Sequence, residues 1–579
     1  MDDDSMEYPR KYCPGPDWCE DNELYDIGGL HPVVIGDSFR DGQYSVVHKL
    51  GYGGFSTVWL ARDHRAERYV ALKILSAAGS RCVNEIAIQR YIRALGMSFD
   101  DLSITKIIDR FSFRGPNGRH TCLVLEVAGP SLNFLDKHSL KLRPDSVRDL
   151  AAQVAGVVRK LHTNDIAIGD LSTDNILLKV KNLSSWSEEE IYQRFGEPEA
   201  SEACPTREGE SLSSHAPRYQ YDHIHFGWCD LDVLEPNVTV ADMNEAVYTG
   251  SNPALHSQAE SSAANRVYAA PEWWFGVNQK HTKASDIFAL ACIFFELRTA
   301  SPLLPAYAMT DGAEVIQLLL GEAPQEWKDL QNDRDEDQQV ELLSHEECGS
   351  ESLDIKLAAV GKWEPWHYMT PEQRKQHFFD TYDEEERNDP DKDINIERDS
   401  STRPPPARLS DEEHHDLKDL LSRMLTYLPE ERITIEEVLQ HPWLNKRYDD
   451  LDDQTAPWIC RYDRGFRYYN ATEWYRAYVL NVDPDSGDKA ENGGIWRLDE
   501  ENPKFENGTF NWDVFYDSAE DIWYDAVESQ EFESDAPEPE EADEEEEDPQ
   551  ESEEVMTDSD EEEFSVTKLL GLPVDSDDE

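Results

Sequence analysis

Alternating and helical-period patterns split the chain into a strand-rich first stretch and a helix-rich remainder. After Gln43, YSVVHKLGYGGFSTVWLARD reads as strand, glycine turn, strand, and YVALKIL (69–75) as a third strand with apolar alternation. Apolar positions recur at helical spacing from Arg81 to Leu95. TCLVLEVAG (121–129) predicts a buried strand running into a turn. Asp145 to Leu161 predicts an amphipathic helix, with Pro144 just before it. Pro271 to Leu297 and Asp411 to Leu444 read as helical, separated by a charged, irregular stretch. The longest apolar run, Ile287 to Leu297, is about half of what a bilayer span needs, so it predicts a buried helix.

Three stretches lack such patterns. Residues 1–40 are mostly polar and end in GGLHPVVIGDSF, which reads as a short ordered lead-in. Residues 182–237 carry Ser, Glu and Pro with few apolar runs, as expected of a partly disordered insert; regularity returns at Val238. Residues 450–530 are acidic yet aromatic, with Trp458, Trp474, Trp496, Trp512 and Trp523. Beyond them, 531–563 hold 20 Asp or Glu and no Lys or Arg. Such a run buries no core and predicts disorder.

Charge narrows the partners. Against 54 Lys and Arg stand 121 Asp and Glu, a net charge of −67. The run at 531–563 accounts for 20 of these, so the body is acidic too. Direct nucleic-acid binding needs a basic face and is not expected; basic proteins are the partners such a field attracts. Nine scattered Cys without repeating spacing read as reduced thiols of the cytosol or nucleus. The acidic start, MDDDSMEY, is no signal peptide. A soluble intracellular protein without membrane contact is expected.

The candidate chemistry centres on GDLSTDNILL, Gly169 to Leu178. Asp170 stands five residues before Asn175. Phosphoryl transfer uses a carboxylate to orient the attacking hydroxyl and a nearby amide to help hold Mg²⁺. The spacing alone is common; its place in an ordered series gives it weight. The series runs GYGGFSTV (51–58), VALK (70–73), Glu85, this loop, ADMNEA (241–246) and AAPEW (269–273). Gly51 and Gly53 lack a Cβ and let backbone N–H groups approach phosphate oxygens. Between Ile74 and Phe99 the only acidic residue is Glu85, which makes it the natural partner of Lys73. Asp242, after the strand VTVA, suits a hard cation bridging phosphates. Glu272, Asp286 and Arg432 read as scaffold residues.

These motifs resemble the eukaryotic protein kinase family over 43–445. Within it the resemblance is to SR-protein kinases, which phosphorylate arginine–serine-rich splicing factors. HPVVIGDSF, VVHKLGYGGFSTVWLARD, ASDIFALACIFFEL, VIQLLLGEAP and LTYLPEERITIEEVLQHPWL carry it. The resemblance implies an α+β, bilobal protein kinase fold with a β-rich N-lobe (43–128) and a mainly helical C-lobe (129–445). It also implies an insert at 182–237, between catalytic loop and metal-binding Asp. A lead-in (1–42), an aromatic and acidic extension (446–530) and a disordered tail (531–579) flank the domain. By the same resemblance ATP and Mg²⁺ are the cofactors, and Arg/Ser-rich proteins of cytoplasm and nucleus the substrates. Asp170 would be the catalytic base, Lys73 and Glu85 the phosphate-positioning pair, Asn175 and Asp242 the metal ligands. Gly51, Tyr52, Gly53, Gly54, Phe55, Ser56 and Thr57 would cover the phosphates. Leu50, Val58, Ala71 and Leu177 would enclose adenine, Glu126 and Ala128 would meet its edge, and Leu125 would stand behind it.

Departures from the family pattern carry their own expectations. Ser56 replaces the third glycine. Ile168-Gly169-Asp170 replaces His-Arg-Asp, so the arginine that reads an activation-loop phosphate is missing. Activity independent of that phosphate follows, tested by removing Ser and Thr across 249–262. Ser172 stands where a lysine contacts the γ-phosphate, which predicts slower catalysis. In Asp242-Met243-Asn244, Met fills the apolar slot and Asn244 is expected to tolerate positive φ. Two competing readings are a pseudokinase scaffold and a small-molecule kinase of the aminoglycoside or choline type. Retention of Lys73, Glu85, Asp170, Asn175 and Asp242 argues against the first; the APE segment and Arg432 argue against the second.

Overall fold

Six strands form one antiparallel sheet in the spatial order β1 (Ser38–Phe39), β2 (Tyr44–Gly53), β3 (Ser56–Asp63), β4 (Arg68–Leu75), β6 (Gly118–Leu125) and β5 (Ile107–Gly115). The computed structural model describes residues 10–13, 15, 19–81, 83–137, 140–206, 212–227, 229–250, 265–305, 308–332, 340, 342–345, 347–360, 409–448 and 457–461. All lie in the first of two units, 1–480 and 481–579. The expectations for 462–530 and for the tail fall outside the described residues.

The glycine turn closes β2 on β3 as a hairpin, with Gly53 opposite Ser56 and Gly51 opposite Val58. Alternation then divides the sheet's side chains between two apolar layers. On one face Ala71, Leu123 and Leu125 pack with Leu50, Val58 and Ile86 of helix α1 (Asn84–Ala94). On the other, Trp59, Leu72 and Ile74 pack with Val33 and Phe39 of the lead-in and Tyr221 of the insert. Lead-in and insert therefore roof the small lobe, which explains why β3 and β4 are buried on both faces.

The insert is more ordered than its composition suggests. A capping box at Ser187 and Glu190 starts the helix Glu188–Phe195, whose Ile191 and Phe195 reach the main core. Ala200–Glu202 pairs antiparallel with Tyr219–Tyr221. Glu20 of the lead-in, buried, pairs with the Lys49 ammonium of β2, and Lys49 also donates to the Tyr221 carbonyl at 2.8 Å. Gln220 Nε2 donates to the Glu20 carbonyl at 2.6 Å, and Asn22 Nδ2 to Gln220 Oε1 at 2.8 Å. A few buried polar contacts, invisible to apolar periodicity, thus tie the segment down.

The large lobe is built on the helices Pro144–Thr163 and Lys283–Thr299. Proline opens the first, where its missing N–H costs nothing. A capping box at Thr282 and Ser285 opens the second, which is apolar all round and buried, as the run at 287–297 implies. The helix expected from Pro271 is broken: Pro271–Trp274 ends, Gly276 takes φ 62°, and Thr282 starts anew. The span 411–444 likewise divides into Asp411–Met424, Ile435–Gln440 and Pro442–Asn445. The charged stretch between contains the helices Ala308–Leu320, Gln325–Asn332 and Leu353–Ala359. The start of the extension is strand: Ile459–Arg461 pairs with Leu140–Leu142. A three-stranded sheet, Leu234–Val240 beside Ile176–Val180 beside Ala128–Ser131, carries the chemistry-bearing loops.

Candidate active site

β4 and α1 bring Lys73 and Glu85 together under the sheet. Lys73 Nζ lies 3.7 Å from Glu85 Oε2 and 2.7 Å from Asp242 Oδ2. Burial alone would lower the ammonium's pKa; Asp242 and Glu85 outweigh it and hold it above the ordinary value. Burial would also raise Asp242, but the Lys73 charge keeps this carboxyl below its usual range. Glu85, 2% exposed, stays raised by burial despite Lys73.

The residues of the loop after Gly169 meet one another, and the Asn175 carbonyl accepts the Ala241 N–H at 2.8 Å, next to Asp242. Asn175 Nδ2 donates to Asp170 Oδ2 and to the Asp170 carbonyl, both at 2.9 Å. Asp170 Oδ1 accepts the Asn265 N–H at 2.8 Å. Burial raises the Asp170 pKa, and these donors only partly offset it. Asp286 fixes the loop from below, accepting Ile168 N–H at 2.8 Å, Gly169 N–H at 3.0 Å and meeting His162 Nε2 at 2.8 Å. Arg432 joins Glu272 through Nη1 and Oε1 at 2.9 Å and donates to the Ala284 carbonyl at 2.9 Å, bracing the floor of the site.

The glycine turn leaves its backbone open. A Cβ on Gly51, Gly53 or Gly54 would meet no protein atom within 4 Å, and none of the three takes positive φ. Neither packing nor backbone conformation therefore demands glycine there. Tyr52 and Phe55 are exposed at the tip. Ser56 and Thr57 are buried, and Thr57 Oγ1 accepts the Trp59 indole N–H at 2.9 Å. The Thr57 side chain thus faces the lobe interior.

Leu50, Val58, Ala71 and Leu125 share one apolar cluster. Leu177 is half-buried between the buried Ile176 and Leu178, so alternation turns it to the opposite face of its strand. Glu126 and Ala128 lie at the link from β6 to Ala128–Ser131.

Two departures acquire a physical reason. Gly169 takes φ 81°, and a Cβ there would stand 2.4 Å from the Glu245 carbonyl oxygen. No arginine fits this backbone. Ser172 is 1% exposed, and its Oγ has no hydrogen-bond partner among the described residues. Positive φ falls on Asp242 (53°) and not, as expected, on Asn244. Asn244 instead anchors α1: its Oδ1 accepts Asn84 N–H at 3.1 Å, and Asn84 Nδ2 donates to its carbonyl at 2.8 Å. Met243, fully buried, fills the apolar slot.

The sequence reading missed Asn265 and Asp174. Asn265 bonds Asp170 through its backbone and Asp174 Oδ2 through Nδ2 at 3.3 Å; Asn133 holds Asp174 Oδ1 at 2.6 Å. The Asn265 side chain also caps the turn Arg266–Tyr268, its Oδ1 accepting the Val267 N–H at 3.2 Å. Residues 251–262, which bear the activation-loop serines, fall outside the described residues.

Asp242 and Asn175 are hard oxygen donors, and no group of three potential metal ligands occurs among the described residues. This sparse set fits Mg²⁺, which is held by one or two protein oxygens plus substrate phosphates. Among the described residues no helix is long and apolar enough to cross a membrane.

Comparison with known proteins bears on the same residues. The family profile described as "Protein kinase domain" matches 44–184 and 237–444, more than half of the chain, and leaves out the insert. "Serine/threonine-protein kinase SRPK" of Physarum polycephalum is 31% identical over 325 residues, covering 53% of this chain and 73% of that protein. "SRSF protein kinase 3" of Homo sapiens is 39% identical over 186 residues, 31% of this chain and 30% of that protein. "Protein kinase dsk1" of Schizosaccharomyces pombe is 38% identical over 170 residues, 28% of this chain and 30% of that protein. The chain thus matches less than a third of the length of the human and yeast relatives.

Proposed function

The chain belongs to the protein kinase family and stands with the SR-protein kinases within it, and from that premise we propose that it transfers the γ-phosphate of ATP to Ser or Thr of basic, Arg/Ser-rich proteins. Regulation of RNA splicing, from cytoplasm and nucleus, belongs to the same reading.

One observation carries it: Asp170 is hydrogen-bonded by Asn175 and by the Asn265 N–H, and the Asn175 carbonyl accepts at 2.8 Å the N–H of Ala241, next to Asp242, which pairs with Lys73 beside Glu85. Asp170 would orient the substrate hydroxyl and take its proton at Oδ1 or Oδ2. Its burial makes it a stronger base than an ordinary aspartate. Lys73 would bind the α- and β-phosphates while Glu85 holds it in place. Asp242 and Asn175 would hold Mg²⁺, which with ATP supplies the transferable group and neutralises its charge. The open backbone of Gly51, Gly53 and Gly54 would cover the phosphates. The net charge of −67 favours encounter with basic proteins.

The experiment is phosphate transfer from ATP-Mg²⁺ to an Arg-Ser repeat peptide, with Asp170→Ala alongside. Transfer by the wild type and none by the variant is expected. Failure to phosphorylate this peptide or any general basic protein would overturn the reading.

A further inference from the structure

Two thiols from distant parts of the chain face each other where the lead-in meets the insert. Tyr12 and Pro205 form an antiparallel bridge, which sets Cys13 opposite Cys204. The Cys13 N–H donates to the Cys204 carbonyl at 2.8 Å, and the Thr206 N–H to the Lys11 carbonyl at 3.0 Å. Opposed residues of an antiparallel pair have Cα atoms about 4.5–5.5 Å apart, within the span of about 4.4–6.8 Å that a disulfide bridges. The sulfurs lie on one side of the pair: Cys13 Sγ is 3.6 Å and Cys204 Sγ 3.5 Å from the same Pro205 carbonyl oxygen. The neighbouring Cys13 sulfur raises the Cys204 thiol above its ordinary pKa. Cys204 is exposed and Cys13 half-buried, so both are open to a dissolved oxidant. Cys19 is different in kind. It is buried, donates to Asp222 Oδ1 at 3.1 Å, and burial pushes its thiol up to about 12.

We propose that Cys13 and Cys204 form a reversible disulfide that staples the N-terminal lead-in to the insert. With a small-molecule disulfide such as oxidised glutathione, the Cys204 thiolate attacks one sulfur and releases one glutathione thiol. The Cys13 thiolate then attacks the Cys204 sulfur, the protein S–S bond forms, and the second glutathione leaves. The two electrons given up by the protein reduce glutathione, and the two thiol protons end on its two thiols.

The bond joins two segments that together grip β2. Glu20 of the lead-in pairs with Lys49, while Tyr221 and Ile224 of the insert meet the same residue, Ile224 N–H donating to the Lys49 carbonyl at 3.0 Å. β2 runs directly into the glycine turn, so the staple secures the roof of the nucleotide lobe. In a reducing cytosol the dithiol persists; an oxidising episode closes it.

The test is a peptide map of the full chain after exposure to oxidised glutathione and alkylation of the remaining thiols. Trypsin alone leaves Cys13 and Cys19 on one peptide; cleavage before Asp17 separates them. The expected product joins the peptides of Cys13 and Cys204, is lighter by two hydrogens, and disappears on reduction and in Cys13→Ser and Cys204→Ser. Glutathione adducts without that cross-link, or a link from Cys13 to Cys19 instead, would overturn the proposal.

Discussion

The Lys73 ammonium is bonded to Asp242, its Nζ 2.7 Å from Oδ2, and only then to Glu85, at 3.7 Å. One cation therefore neutralises two carboxylates in a site where Glu85 is 2% exposed. Lys73→Met leaves Glu85 buried without its cation, while Asp242, its side chain 37% exposed, can turn to water. A buried charge stripped of its partner costs about 3–5 kcal/mol, so the variant should unfold at lower denaturant and lose transfer. Adding Glu85→Gln should recover part of the stability and none of the activity. A Lys73→Met protein as stable as wild type would refute this account of the cluster.

As the proposed base, Asp170 should set the acid side of the pH profile. Its carboxyl is raised by burial, and a base works only when deprotonated, so activity should climb as pH rises through the raised value. The acid limb of kcat/KM should lie above the ordinary aspartate pKa of about 3.9. Asp170→Asn should abolish the transfer whose limb is measured. A limb at or below the ordinary value would show that Asp170 does not set it.

What the sequence disclosed follows the range of the forces involved. Strands β2 to β4 were legible because alternation is local, and the Lys73–Glu85 pair because no other acid lies on α1. The order of the insert was not: Glu20, Lys49, Gln220 and Tyr221 bond across long sequence separations, and polar pairing leaves no period. Asn265 was hidden for the same reason, since the backbone N–H that reaches Asp170 carries no residue signature. The positive φ predicted for Asn244 fell on Asp242 because Asn84 takes the Asn244 side chain and carbonyl for the start of α1.

Gly169 is required by its backbone. Arginine there would need φ 81° and a Cβ 2.4 Å from the Glu245 carbonyl. Gly169→Arg, though it restores the common family triplet, should cost about 1–3 kcal/mol and lower turnover. Thermal unfolding and peptide phosphorylation test both; an active and equally stable variant would contradict the geometry.

The same glycine bears on regulation. With no guanidinium at 169, the catalytic loop lacks the arginine that the family uses to read an activation-loop phosphate, and activity without that phosphate is expected. Alanine at Ser251, Ser257, Ser261 and Ser262 together should leave turnover within about twofold of wild type. Thr249 is left in place because its Oγ1 donates to the Asp165 carbonyl at 3.1 Å. Loss of most activity in the quadruple variant would refute phosphate independence.

Ser172 gives the sharpest test of the chemistry. Its buried hydroxyl, without a partner among the described residues, offers no charge to the transferred phosphoryl group two residues from Asp170. A hydrogen bond to a charged group contributes about 1.5–3 kcal/mol, equivalent to roughly 10- to 100-fold in rate when it acts in the transition state. Ser172→Lys should therefore raise kcat by about that factor while KM for the peptide stays unchanged. The longer side chain must leave a pocket where serine is 1% exposed, so a melting curve has to accompany the assay. A folded Ser172→Lys protein with turnover no higher than wild type would mean that the missing lysine does not limit phosphoryl transfer.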